Sequence, residues 1–170
     1  MAGNEASRAP GLAPGHNRSF LTTTASGARL LSAIQLPWFL VLPPRGFGVL
    51  RTTGRRTGRP RRTCVRVVRH QNTVYLVAIA GDRTGWLRNL RRHRDVTVRI
   101  RGGSFRGVAR ELQDGESDRA RDLYCSYTGP FEYLESLAHL PGRPRRERLA
   151  KMHNHWFDTG SPVAIDLHAS

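Results

Sequence analysis

Hydrophobic and polar positions change rhythm several times along the chain, and each rhythm implies an element. From Ser26 to about Gln35 the apolar residues Ala28, Leu30, Leu31 and Ile34 recur near helical spacing, with Ser26 placed to cap the segment and Pro37 to end it. After the Pro- and Trp-rich "PWFLVLPPRG", the run "FGVLRTT" at 47–53 predicts a strand. In "RRTCVRVVRH" at 61–70, Thr63, Val65 and Val67 alternate with polar neighbours, as a half-buried strand requires. Gln71 and Asn72 separate it from "TVYLVAIA" at 73–80, a β-branched and aromatic run that suits a central strand.

Further on, "GDRTGWLRNLRRH" at 81–93 predicts a tight turn and a short helix with Trp86, Leu87 and Leu90 inward. "DVTVRI" and "SFRGVAREL" form a hairpin across Gly102 and Gly103. Asp114 is placed to cap a helix through "ESDRARDLYCSY", whose Ala120, Leu123 and Tyr127 share a face. Two more helices are expected around 131–139 and 145–157, and "SPVAIDLH" at 161–168 adds a last strand. About six mostly antiparallel strands with peripheral helices make an α+β fold, a small barrel. Residues 1–25, rich in Ala, Gly, Pro, Asn and Ser, predict a disordered tail, and 26–170 one domain.

The formal charge of +15 is almost all arginine, since Lys151 is the one lysine. Such a surface attracts anions of any kind. A genome rich in G and C would also raise Arg, Ala and Gly together, which weakens the inference that nucleic acid is the partner. Its aromatics also lie mostly in apolar runs, where they cannot interleave with basic residues to stack bases. The amphipathic stretch 26–42 keeps a peripheral membrane contact open as an alternative. Cys64 and Cys125 have neither CxxC nor zinc-finger spacing, so they are expected to be reduced, buried thiols, with no metal site. No long apolar run is present, and a cytoplasmic location is expected.

The most concentrated charge is "GRRTGRPRRT" at 54–63. A nucleotide phosphate loop would need four residues between its glycines and then Lys-Ser or Lys-Thr, but Gly54 and Gly58 enclose three and Arg59-Pro60 follows. The stretch is either a solvated hairpin loop or a cradle for an anion. Gly58 lets backbone approach a ligand, Thr57 offers a hydroxyl, Pro60 fixes the chain, and forked guanidiniums suit phosphate and carboxylate. Downstream, Trp86 offers a flat apolar face and Asn89, one turn on, an amide that both donates and accepts.

The order of these pieces resembles the deazaflavin-dependent nitroreductase family. The likeness is carried by a strand ending Leu-x-Thr-Thr-Gly-Arg, then a basic residue, Thr, Gly, x, Pro and Arg, at Leu50 to Arg61. It continues in Trp86-x-x-Asn89-Leu90 and in Val96-x-Val98. The resemblance implies a split β-barrel of the FMN-binding-like superfamily, with the deazaflavin F420 as cofactor; FMN is the alternative. It further implies that Arg55, Arg56, Thr57, Gly58, Arg59, Pro60 and Arg61 grip the acidic tail and phosphate. Ala78, Ile79 and Ala80 would face the ring, and Trp86 and Asn89 would complete the pocket. Tyr133, in "YTGPFEYLE", would be the proton donor, while Phe131 stands where some members carry a tyrosine. Residues 137–161 read as an insertion beside the substrate pocket. A small electron-poor organic substrate, such as a quinone, enone, imine or nitro compound, and a homodimer complete what the likeness implies. His139, His153 and His155 are expected mainly as surface histidines. The last two are only two residues apart, which puts them on different faces of a helix.

Overall fold

The computed structural model describes residues 37, 39, 41–113, 115–133 and 145–168. The helix expected over 26–35, the cap at Asp114 and His139 lie outside the described residues. The strands are β1 (Phe47–Thr53), β2 (Pro60–Arg66), β3 (Val68–His70), β4 (Thr73–Ala78), β5 (Asp95–Ile100), β6 (Gly103–Glu111) and β7 (Ser161–Leu167). They form one antiparallel sheet in the order β2-β1-β5-β6-β7-β4-β3.

Seven strands stand where about six were expected, because "RRTCVRVVRH" is two strands. β2 pairs with β1 and β3 with β4, so the two edges of the sheet are consecutive in sequence and joined by Val67 alone. The sheet must therefore curl until its edges meet. Val65 and Leu76, from strands near opposite edges, accordingly share one interior cluster with Leu50, Val98 and Ile165. Val67, between the two strands, packs in the interior cluster and Val68, the first residue of β3, in one on the outer face, so the chain keeps its alternation of faces while it changes partner strands. Tight curling also brings backbone close: a Cβ on Gly107 of β6 would meet the Asp166 carbonyl oxygen at 2.5 Å.

Three longer helices pack against the sheet, α1 (Gly85–Arg92), α2 (Glu116–Ser126) and α3 (Arg146–Thr159), and shorter helical stretches include 130–133. α1 inserts Trp86, Leu87 and Leu90 into the interior cluster, as the sequence predicts. On the other face of β4 and β7, α2 and α3 cover Tyr75, Val77 and Ala164 with Ala120, Tyr124 and Phe157. Tyr124, not Tyr127, is the aromatic buried from α2, and Leu123 is only half-buried. α2 begins after Gly115, and Glu116 in its first turn accepts from Arg110 Nη1 at 2.6 Å, Tyr75 Oη at 2.9 Å and the Gln113 N–H at 2.9 Å. Arg110 Nε reaches Asp166 at 2.6 Å, so one cluster of charge ties α2 to β4, β6 and β7. The stretch read as an insertion contributes α3, whose Leu149, Met152, Trp156 and Phe157 are buried. Cys64 and Cys125 are half-buried rather than buried.

Candidate active site

The arginine loop is a closed turn between β1 and β2. The Gly54 N–H donates to the Arg59 carbonyl at 2.9 Å, and the Gly58 N–H to the Gly54 carbonyl at 2.8 Å. Gly58 takes φ of +65°, where a side chain would be strained. Thr57 Oγ1 accepts the Arg59 N–H at 3.4 Å, so this hydroxyl helps shape the loop and keeps only its own proton to donate. The side chains of Arg56, Thr57, Arg59, Pro60 and Arg61 stand exposed, and Arg55 is half-buried.

The loop is fastened to α1 by a residue expected to face a ligand. Asn89 is buried; its Oδ1 accepts the Arg55 N–H at 3.2 Å and its Nδ2 donates to Thr52 Oγ1 at 3.1 Å. Both ends of the amide are engaged, and Asn89 holds β1, the loop and α1 together. Trp86, beside it, packs within the interior cluster.

Fastening the loop there crowds positive charge. Partial burial, then the nearby Arg88 and Arg56 guanidiniums, lower the pKa of Arg55 from its ordinary value. Sequence reasoning missed Arg88, which lies on α1 three residues before Arg91 and shows its role only once the loop is seen against the helix. Its Nη2 donates to the Arg83 carbonyl at 3.0 Å. The end of β4 leads to the same place: Ala78 is buried, Ile79 is exposed, and Ala80 precedes a 3-10 turn at Gly81–Arg83. Thr84 then precedes α1, with its hydroxyl buried and without a hydrogen-bond partner.

Tyr133 lies elsewhere. It packs half-buried against Leu149, Met152 and Trp156 of α3, the helix on the far side of β4 and β7 from Trp86. Phe131 packs edge-on against Phe39 and Phe47, with ring centres 5.5 and 5.0 Å away. Between them Glu132, 1% exposed, accepts from Arg66 Nε at 3.0 Å and from the Gly129 N–H. Arg66 also donates to the Tyr127 carbonyl at 2.8 Å and lies 4.1 Å over the Tyr124 ring. The sequence carried one cue for this pair, a Gly-Pro followed by a glutamate two residues on, as at a helix start. His153, expected at the surface, is fully buried beside Tyr124 and Trp156, and neither ring nitrogen has a partner. His155 is exposed. Among the described residues, no group of three His, Cys, Asp or Glu side chains could hold a metal ion, and no helix is long and apolar enough to cross a membrane. Of the amphipathic stretch, residues 37, 39, 41 and 42 are described; Val41 and Leu42 are 77% and 66% exposed, whereas Phe39 is buried.

Comparison with known proteins bears on this arrangement. Residues 41–133 match the family described as F420H(2)-dependent quinone reductase. No curated protein sequence matches the chain. A solved structure described as a domain-swapped dimer is similar at 19% identity and a TM-score of 0.50, over 82% of this chain and 92% of that one. An F420-H2 dependent reductase is similar at 20% identity and a TM-score of 0.47, over 73% and 95%. A conserved hypothetical protein of Mycobacterium tuberculosis is similar at 18% identity and a TM-score of 0.48, over 81% of each chain.

Proposed function

We propose, on the premise that this chain belongs to the F420H(2)-dependent quinone reductase family and is an F420-dependent oxidoreductase, that the arginine loop and the turn before α1 hold reduced F420. Reduced F420, when bound, supplies a hydride, and the protein supplies position and a dry surface. The acceptor is a small electron-poor organic molecule, of the quinone, enone, imine or nitro class.

The observation that carries this reading is the concentration of arginines on a closed loop whose backbone is fastened to α1. Among the described residues, Arg55, Arg56, Arg59, Arg61 and Arg88 make no ion pair, so their charge is left for an anion from outside. The residues fit the cofactor in two further respects. The unpartnered Thr84 hydroxyl is a polar atom awaiting a partner at the start of α1. A Cβ on Gly58 or on Gly85 would meet nothing within 4 Å, so backbone there is open to close approach. Arg55, Arg56, Arg59, Arg61 and Thr57 would then hold phosphate and carboxylates through forked and hydroxyl donors, with Gly58 and Pro60 shaping their approach. Ala78, Ile79 and Ala80 would border the ring, while Asn89 and Trp86 act from behind by fixing the loop and α1. Tyr133 is the proton donor in this reading, acting on the acceptor from the α3 side, where Trp156 packs against Tyr133 and the Trp156 carbonyl lies, with that of Ala78, beside Gly160. Two copies of the chain would pair, which sedimentation velocity reads directly.

Fluorescence titration with F420, and with FMN as the competing cofactor, tests the proposal. Arg55→Ala/Arg61→Ala is expected to weaken F420 binding by at least about a hundredfold, two charge-assisted contacts being removed. Tyr133→Phe should leave that affinity unchanged and lower the turnover of a simple naphthoquinone. Unaltered F420 affinity in the double variant would overturn the loop assignment, and unaltered turnover would overturn that of Tyr133.

A further inference from the structure

On the outer face of the sheet, cross-strand register lines up a second set of cations. Arg62 of β2 lies opposite Arg51 of β1, Arg51 opposite Thr97 of β5, and Thr97 opposite Arg106 of β6. The His168 N–H donates to the Arg106 carbonyl at 2.9 Å and extends the row past β7. Directly opposed residues in antiparallel strands project from the same face, and neighbouring strands lie about 4.8 Å apart. Arg51, Arg62, Arg106 and His168 are all exposed. Among the described residues none of the three arginines makes an ion pair.

Like charges directly opposed across a strand pair are destabilising, so Arg51 facing Arg62 is a local cost that an anion would remove. The face is also concave here. A groove of about 530 Å³ runs beneath the arginine loop, lined by Arg51, Arg106 and His168, with Thr97 between the two arginines and Thr53 on the side of the loop. Gly58 and Pro60 close one side of it, and Asp95 is its one carboxylate. That volume is the size of a small-molecule site rather than a track for a long polymer.

The geometry points to a second anion site in this groove, separate from the loop's contacts with α1, that binds a compact polyanion carrying several phosphates or carboxylates. Arg51 and Arg106 supply forked donors from two strands, Thr97 lies between them, and His168 adds a donor at the far end. Asp95 opposes the ligand and limits its affinity. Asn89 and α1 engage the loop through Arg55, whereas Gly58 and Pro60 face the groove, so one loop borders two sites.

Calorimetric titration of the full chain with tripolyphosphate and with citrate, at physiological ionic strength, tests this. One saturable site is expected for at least one of the two, and the ligand that binds identifies phosphate or carboxylate as the preferred chemistry. Arg51→Gln and Arg106→Gln should each weaken it about tenfold or more, and Asp95→Asn should tighten it. Arg92→Gln, which removes an exposed charge on α1, should leave it unchanged. Arg51→Gln should also raise the melting temperature without ligand, by relieving the pair with Arg62, which separates lost binding from lost folding. Arg55→Ala/Arg61→Ala should keep this site, whatever becomes of its F420 affinity. Absence of saturable binding by both probes, or equal weakening by Arg92→Gln and Arg51→Gln, would overturn the proposal, the latter by showing that net charge alone attracts the anion.

Discussion

Asn89 shows how one residue type can serve a site without touching its ligand. An asparagine one turn after a tryptophan, near an arginine loop, suggests an amide offered to a cofactor, and only the fold shows its two ends engaged by Thr52 and Arg55. Replacing it by alanine leaves a buried hydroxyl and a partly buried N–H without partners, while Trp86 and Leu90 stay in the interior cluster. Asn89→Ala is expected to cost about 2 kcal/mol in urea unfolding, the range for buried polar groups left unsatisfied. It should also weaken F420 binding, because the guanidinium of Arg55 is placed by its own backbone. A change under about 0.5 kcal/mol, the scale of ordinary surface substitutions, would show that the loop holds its shape without α1.

At the level of elements, the crossing from β2 to β3 depends on charge as well as on apolar packing. Arg66, the last residue of β2, is buried with Glu132 from the helical residues 130–133, so a single ion pair joins the sheet's edge to the segment after α2. Breaking such a pair strands a buried charge: Arg66→Met is expected to cost about 3–5 kcal/mol in urea unfolding, whereas Arg66→Met/Glu132→Leu should recover most of it. A double variant no more stable than the single one would refute the pairing argument. The same crossing marks the limit of what was readable in the chain. Strands and α1 were legible because alternation and helical spacing follow from which faces meet the core. A barrel was expected from the strands, but the point at which it closes was not legible, since that rests on which partners β2 and β3 choose and the alternation of faces runs through 65–68 without a break. Arg66 read as the polar half of an alternating strand, because a sequence gives no sign that a distant glutamate will bury with it. His153 was misplaced for a related reason: α3 is covered on its histidine side by Tyr124 of α2, a contact that helix periodicity alone cannot supply. The arginine loop, by contrast, was legible as a unit, since its turn is local and its glycines mark it.

For the molecule as a whole, these buried groups make stability fall with acid in two stages. Burial, then the charge of Arg66, lowers the pKa of His153 from 6.5 to about 3. Between those values the unfolded chain binds a proton that the folded chain refuses, so the contribution is complete above about pH 6.5 and is lost as pH falls toward 3. Glu116 adds a second stage: hydrogen bonding from Arg110 lowers its pKa from 4.5 to about 2, and its contribution is lost between those values. Each group changes stability by about 1.4 kcal/mol per pH unit within its window. A formal charge of +15 adds self-repulsion over the same range. Wild type alone therefore cannot apportion the loss, but a difference between variants can. His153→Phe keeps an aromatic ring between Tyr124 and Trp156 and should flatten the urea midpoint from pH 6.5 to 4.5 while reducing, but not removing, the fall below it. Glu116→Gln should do the reverse, lowering stability at neutral pH and removing part of the fall below pH 4.5. If His153→Phe tracks wild type in parallel from pH 7 to 5, the imidazole is not held neutral by its surroundings, and the acid sensitivity belongs to the net charge of the molecule.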